Sequence, residues 1–296
     1  MTDYYLQRAM NGWDLVEVFW AVDDGIAHQH IIPSQMGTHC AEPGKDILTT
    51  LRDHFPGAEF NLLQLGPGEY FPRMARPEST NPALSLGKNP DQDRSALNAR
   101  TTSTGQLHAL IQQLQEICRV VHPIDQNLDA FGHEIRNLLI IACTEVEAQW
   151  KSILVANGQQ PKNRLDYVKL SPAMKLNKYR VALPWYPWIV PIAPFERWMP
   201  MPNGDKQDLP WYDAYNDVKH DREQNFVRAK LRYAIESLTA CFVMLCAQYG
   251  IDFVRSGEEA QDVFFRLIEW PTWTPSEIYV PSFGAEIRPR NYPFKS

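Results

Sequence analysis

Trp211–Gly250 reads WYDAYNDVKHDREQNFVRAKLRYAIESLTACFVMLCAQYG and predicts one long helix that opens on a polar cluster. At helical spacing, Asn216, His220, Glu223, Val227, Ala234, Leu238, Cys241 and Leu245 fall on a single stripe. Asn216, Lys219, His220 and Glu223 therefore continue the apolar face toward the N-terminus instead of opposing it. Such a cluster is expected to face packing, and that is the arrangement of a site.

The rest of the chain is read against this helix. With 296 residues, 44% hydrophobic and 22% charged, it can build one large domain or two modest ones. A net charge of -6 argues against indiscriminate coating of nucleic acid, so a polyanionic partner must meet a local basic patch. Cys40, Cys118, Cys143, Cys241 and Cys246 form neither a disulfide framework nor a paired CxxC set, which fits a reducing cytosol. The N-terminus has no signal-peptide pattern and no apolar run reaches the roughly 20 residues of a membrane span, so a cytoplasmic chain away from membranes is expected.

Residues 1–90 are expected to form an N-terminal α+β or irregular lobe. GWDLVEVFWAV and EFNLLQL lean toward strand, KDILTTLRDHF toward a short amphipathic helix, and Gly66–Pro90 toward a long loop or linker. His28, His30, His39, Cys40 and His54 offer imidazole and thiolate ligands there, but their spacing fits no closed zinc pattern, and no metal or other cofactor is expected. Thr104–Val121 carries Leu107, Leu110, Ile111, Leu114, Ile117 and Cys118 on one face and ends before Pro123. A second helix is predicted from about Asp125 to Asn157, apolar nearly all round at LLIIAC. It holds Arg136, Glu145 and Glu147 on or beside buried faces, where charges need partners.

Between the two longest helices, residues 158–210 read as an insertion. Its first part is the most basic window of the chain: Lys162, Arg164, Lys169, Lys175, Lys178 and Arg180, against Asp166 alone, with Tyr167 and Tyr179 interleaved. Such a window suits either a phosphate-tracking surface with aromatic stacking or a solvated face. Its second part, VALPWYPWIVPIAPFERWMPMP, cannot be helical, and its Trp185, Tyr186, Trp188 and Trp198 call for cover. Residues 251–296 predict a short helix at Glu258–Ile268 and an extended, proline-punctuated tail. Phosphate-loop, dinucleotide, nucleophile-elbow and zinc-protease motifs are absent from the sequence.

The charged central helix followed by YNDVKHDR resembles the HEPN superfamily over about Thr104–Gly250. The histidine of that family's motif falls on His220. The positions where its arginine would fall, Asp213, Ala214 and Tyr215, hold none, and the N-x-x-K-H form, Asn216 to His220, is similar to variant members. The resemblance implies a mainly α, HEPN-like helical bundle at 104–250 that pairs as a homodimer and cuts RNA without metal, as a toxin or phage-defence effector. The alternative it leaves is a non-catalytic module binding a nucleotide, RNA or protein partner.

In chemical terms, cleavage by the RNA's own 2′-hydroxyl needs a base, an acid and cations for the charge developing on phosphorus. His220 can exchange the proton. Lys219 and Arg222 can meet the phosphorane, and Asn216 can fix the imidazole or a phosphate oxygen. Arg136 could replace the missing arginine, with Glu145, Glu147 and Tyr215 in support. A network in which Lys219, His220 and Arg222 pair with Glu145, Glu147 and Asp217 is the structural alternative.

Overall fold

The computed structural model describes residues 2–12, 14–30, 37–81, 90, 94–200, 209–251, 264–282 and 284–294. The chain divides into two compact units: Met1–Phe71 with Arg76–Asp91 and Thr272–Arg290, and Pro72–Ala75 with Gln92–Pro271 and Asn291–Ser296.

The first unit is built on a five-stranded antiparallel sheet. Its strands are β1 (Asp3–Asn11), β2 (Asp14–Asp23), β3 (Ile26–His30), β4 (Thr38–Cys40) and β5 (Glu59–Leu62), in the order β4-β3-β2-β1-β5. The period of two sorts side chains to opposite faces. Leu6 sits opposite Phe19 in the β1–β2 ladder, and both join Leu63, Ile278 and Val280 in one buried cluster. Tyr5 sits opposite Trp20, whose face buries Ala27, Ile47 and Leu51 under helix α1 (Ile47–His54). Asp46 starts α1 by accepting a hydrogen bond from the Thr49 amide at 2.9 Å.

The segment after Leu65, read as a loop, is largely core. Strand β6 (Glu69–Tyr70) pairs in parallel with a strand from the C-terminal region, Arg288–Pro289, and Phe71 and Arg76 are buried. The Arg76 guanidinium lies 4.8 Å from the Phe71 ring and 4.9 Å from the Trp273 ring, and donates to the Glu277 carbonyl at 2.8 Å. Residues 82–89 lie outside the described part.

The second unit packs α2 (Arg94–Val120), α3 (His133–Ala156), the short α4 (Arg164–Tyr167) and α5 (Leu170–Met174), α6 (Pro210–His220), α7 (Arg222–Asn225) and α8 (Leu231–Tyr249). A strand pair, β7 (Arg180–Ala182) and β8 (Arg266–Glu269), lies in the same unit. The predicted apolar face of α2 is buried at Leu107, Leu110, Ile111 and Leu114. On α8, buried positions run almost without interruption from Ala234 to Gln248. A buried polar chain ties the helices together: Arg73 Nε donates to Gln248, Gln248 to Gln149, and Gln149 to Glu145, at 2.8, 2.9 and 2.8 Å.

The expectation of a mainly α, HEPN-like bundle is corrected: the chain is α+β, with a five-stranded antiparallel sheet in one unit and the long helices in the other. Three local readings change with it. Trp211–Gly250 is not one helix but α6, α7, a 3-10 turn at Phe226–Arg228, and α8. Asp221 closes α6 through its amide to the Asp217 carbonyl, and its side chain accepts from the Gln224 amide to start α7. The helix of 125–157 begins only at His133, because residues 128–130 serve α8 instead. Their carbonyls at Leu128 and Ala130 accept from the Arg232 and Leu231 amides at 2.9 and 2.8 Å, satisfying donors a helix start leaves free. Finally, Arg266–Glu269 is strand, not the end of a helix from Glu258; residues 252–263 lie outside the described part.

Candidate functional site

Helix α6 carries the candidate residues and is oriented by an aromatic cluster. Pro210 stands in its first turn, where a missing amide costs nothing. Trp211, Tyr212, Ala214, Tyr215 and Val218 form its buried face. Trp150 of α3 stacks on Trp198 with ring centroids 4.5 Å apart and meets Tyr212 edge-on at 5.4 Å and Tyr167 at 5.5 Å.

From this base a polar network reaches the surface. The Glu147 carboxylate accepts a hydrogen bond from the Tyr212 hydroxyl and another from Tyr215 at 2.9 Å. Lys219 Nζ, one turn on, donates to the Tyr215 hydroxyl at 2.7 Å and lies 3.9 Å from Glu147. Burial, then the hydrogen bond to Glu147, pushes the Tyr212 phenol well above its ordinary range. Burial also raises Tyr215, and the hydrogen bond with Tyr215 raises Lys219, so the ammonium stays charged through the physiological range. A second tie, Arg164 to Asp213 at 2.5 Å, sets the guanidinium 5.3 Å from the Tyr212 ring.

His220 is exposed at the C-terminal end of α6, next to the half-exposed Lys219; Asn216 is partly buried one turn before. The predicted stripe packs at Ala234, Leu238, Cys241 and Leu245 but not before them: His220, Glu223 and Val227 face solvent, and α6 buries a face rotated away from His220. Arg136 lies in the first turn of α3 with a buried Nε that has no hydrogen-bond partner, and no hydrogen bond or ion pair joins it to His220. Glu145 belongs to the polar chain with Gln149 instead. Asp217 pairs with Arg228 at 2.6 Å. The Arg222 side chain lies outside the described part.

Half of the basic window is committed to carboxylates. Arg164 is paired with Asp213, Lys169 lies 3.6 Å from Asp166, and Arg180 lies 3.0 Å from Glu196 and 3.4 Å from Glu269. Lys162 and Lys178 are exposed, and Lys175 is half-buried. Tyr179 is only 5% exposed and Tyr167 packs on Trp150, so neither offers a free ring for base stacking. Trp198 is fully covered, whereas Trp185 and Trp188 stay half-exposed, contrary to the expectation of cover.

Among the described residues of both units, no group of three His, Cys, Asp or Glu side chains could hold a metal ion. In the sheet unit, His39 packs edge-on against Trp20, Phe55 and His54, and the His54 ring hydrogen bonds to the Thr50 carbonyl at 2.8 Å. The His30 side chain lies outside the described part. No described helix is long and apolar enough to cross a membrane.

Two groups escaped the sequence reading. Tyr212 looked like one more aromatic among many, although its spacing of three from Tyr215 on one helix face was visible. Glu236, the acidic residue of α8, lies where burial raises its carboxyl to about 7. Because the folded value exceeds the ordinary one, this group's stabilisation is complete below about pH 4.5 and is lost as pH rises through 7. The variant Glu236→Gln is therefore expected to be more stable than the parent at pH 8, by about 2 kcal/mol after allowing for the carboxyl's partial access to solvent, and equal to it near pH 4.5. Urea unfolding of both chains at the two pH values measures this; a gap that does not close on acidification contradicts it.

No protein-family model, curated protein or solved structure matches this chain.

Proposed function

We propose that the chain is a metal-independent endoribonuclease with HEPN-type chemistry, His220 being the proton-transfer group, and that its setting is a toxin or phage-defence effector. The observation that supports this reading is the exposed Lys219–His220 pair at the end of α6, with the ammonium anchored by Tyr215 and Glu147. A phosphodiester at this end of the helix meets a fixed cation and an imidazole side by side. The imidazole takes the 2′-hydroxyl proton, the 2′-oxygen bonds to phosphorus, and the 5′-oxygen leaves with a proton, giving a 2′,3′-cyclic phosphate and a 5′-hydroxyl. Lys219 balances charge on the non-bridging oxygens.

His220 is the histidine of α6 and α7, and the acid for the leaving oxygen comes from a second copy across a two-fold contact. Light scattering at micromolar concentration is expected to show a dimer. The deciding experiment is incubation of single-stranded RNA with the protein in EDTA. Cleavage to cyclic-phosphate ends supports the reading, and intact RNA sinks it.

The second reading, a non-catalytic module for RNA, a nucleotide or a protein partner, is favoured by one observation: Arg136, Arg164 and Arg180 do not join His220. Where the partner is RNA, catalytically or not, Lys162 and Lys178 supply phosphate contacts. Reversing both to Glu should reduce the slope of log affinity against log salt by about 1.4 for single-stranded RNA. A slope left unchanged in filter-binding titrations would mean that these lysines are only solvated surface.

A further inference from the structure

Helix α8 carries one carboxylate into its packed neighbourhood, and that carboxylate lines two cavities. Apart from Arg232, Glu236 is the only charged residue in Leu231–Tyr249. Arg232, one turn earlier, could have neutralised it, but its Nε donates to Asp129 at 2.6 Å, where Lys230 also lies at 3.3 Å. Arg180 is held between Glu196 and Glu269. Among the described residues, Glu236 has neither an ion pair nor a hydrogen bond.

The smaller cavity, about 230 Å³, is walled by Leu128, Ile189, Val190, Ile192 and Ile235, with Asp125 and Arg232 among its polar lining. The larger, about 420 Å³, shares Val190, Ile192 and Glu236 with it. It adds a proline-rich wall and Trp211, with Arg180, Glu196 and Arg197 as its other charged groups. The arginines at 180 and 232 already hold carboxylates, while among the described residues neither Asp125 nor Glu236 forms an ion pair, the Arg232 charge reaching Glu236 only through space. In the smaller cavity the apolar wall outweighs the polar lining, the usual form of a small-ligand site, and a carboxylate left without a partner there is costly until a donor meets it.

We propose that this paired cavity binds a small organic cation, an alkylammonium or alkylguanidinium, whose head meets Glu236 and whose carbon chain lies on Val190 and Ile192. Asp125 adds a second negative charge at the smaller cavity, so a cation at each end of a short chain is accommodated as well. The site does not depend on His220 or on RNA.

Calorimetry on the 296-residue chain at pH 8 tests it, with n-butylammonium, 1,4-diaminobutane, n-butanol and butyrate as probes. Butylammonium is expected to bind in the millimolar range, the diamine more tightly, butanol at least about tenfold more weakly, and butyrate not measurably. Glu236→Gln should weaken butylammonium about 10- to 100-fold and leave butanol unchanged. Ile192→Trp, which fills the space, should abolish binding of both. Should either variant fail to fold, the parent's own pH profile decides: butylammonium affinity must rise between pH 5 and pH 8. Preference for butyrate, equal binding of butylammonium and butanol, or insensitivity to both Glu236→Gln and pH would overturn the assignment.

Discussion

Trp150→Ala is expected to destabilise the helical unit by about 3–5 kcal/mol, the cost of emptying a fully buried indole site. Trp150 is 0% exposed, stacks on Trp198, and touches Phe195, Trp211, Tyr212 and Tyr167 through ring contacts of 6.2 Å or less. These neighbours come from α4, α6 and the proline-rich segment, so no single element can move to fill the hole. A drop of about 10 °C in thermal midpoint is the corresponding signal. The Trp150 Nε1 has no hydrogen-bond partner. Trp150→Phe therefore keeps much of the ring packing and removes an unsatisfied donor, and should cost no more than about 1.5 kcal/mol. If the alanine variant unfolds within 1 kcal/mol of the parent, roughly the size of an ordinary surface change, the cluster does not hold α6 in place.

The second large effect concerns activity rather than stability. His220→Ala is expected to lower RNA cleavage about 10²- to 10⁴-fold, the usual contribution of a positioned acid or base. Because His220 is exposed and no hydrogen bond ties it to the network, its thermal midpoint should stay within about 1 °C of the parent. Tyr215→Phe and Lys219→Ala differ from it. The first removes the hydroxyl between Glu147 and Lys219, the second the cation itself, and both should reduce cleavage less than the loss of the imidazole. Cleavage by His220→Ala at the parent's rate would remove His220 from the mechanism.

The sequence made some of this architecture readable and concealed the rest, for identifiable reasons. The inward face of α2 was legible because Leu107, Leu110, Ile111 and Leu114 repeat at helical spacing and nothing else competes for them. The strand before Gly12 was missed, although Asn11-Gly12 is a hairpin signal and Gly12 takes the left-handed φ of 64° that favours glycine. Without that strand the sheet looked like fragments, and the chain looked mainly helical. The break in Trp211–Gly250 was hidden because HDREQNFVRAK contains neither proline nor glycine. What stops the helix is tertiary: the backbone of 128–131 pairs with Lys230, Leu231 and Arg232. For the candidate site, spacing placed Lys219 and His220 together but mistook which way α6 faces. The aromatic ring contacts of Trp211 and Tyr212 with Trp150 hold that rotation, with α8 packed against α6 as well. Glu236 gave no sequence signal, since an acidic residue one turn after an arginine reads as an ordinary surface pair.

Arg76, Phe71 and Gly68 of the sheet unit are completed by Glu277, Tyr279, Val280 and Arg288, with Phe71 and Tyr279 separated by 208 positions. On a ribosome adding 5–20 residues per second, the N-terminal sheet waits about 10–40 s before the chain that covers Leu6 and Phe19 is even made. Through that interval one face of a five-stranded sheet is bare while the helices are still being synthesised. The order of synthesis thus begins the sheet before the helices and covers it only after them, and makes the nascent chain, rather than the folded protein, the form most exposed to chaperones and to aggregation.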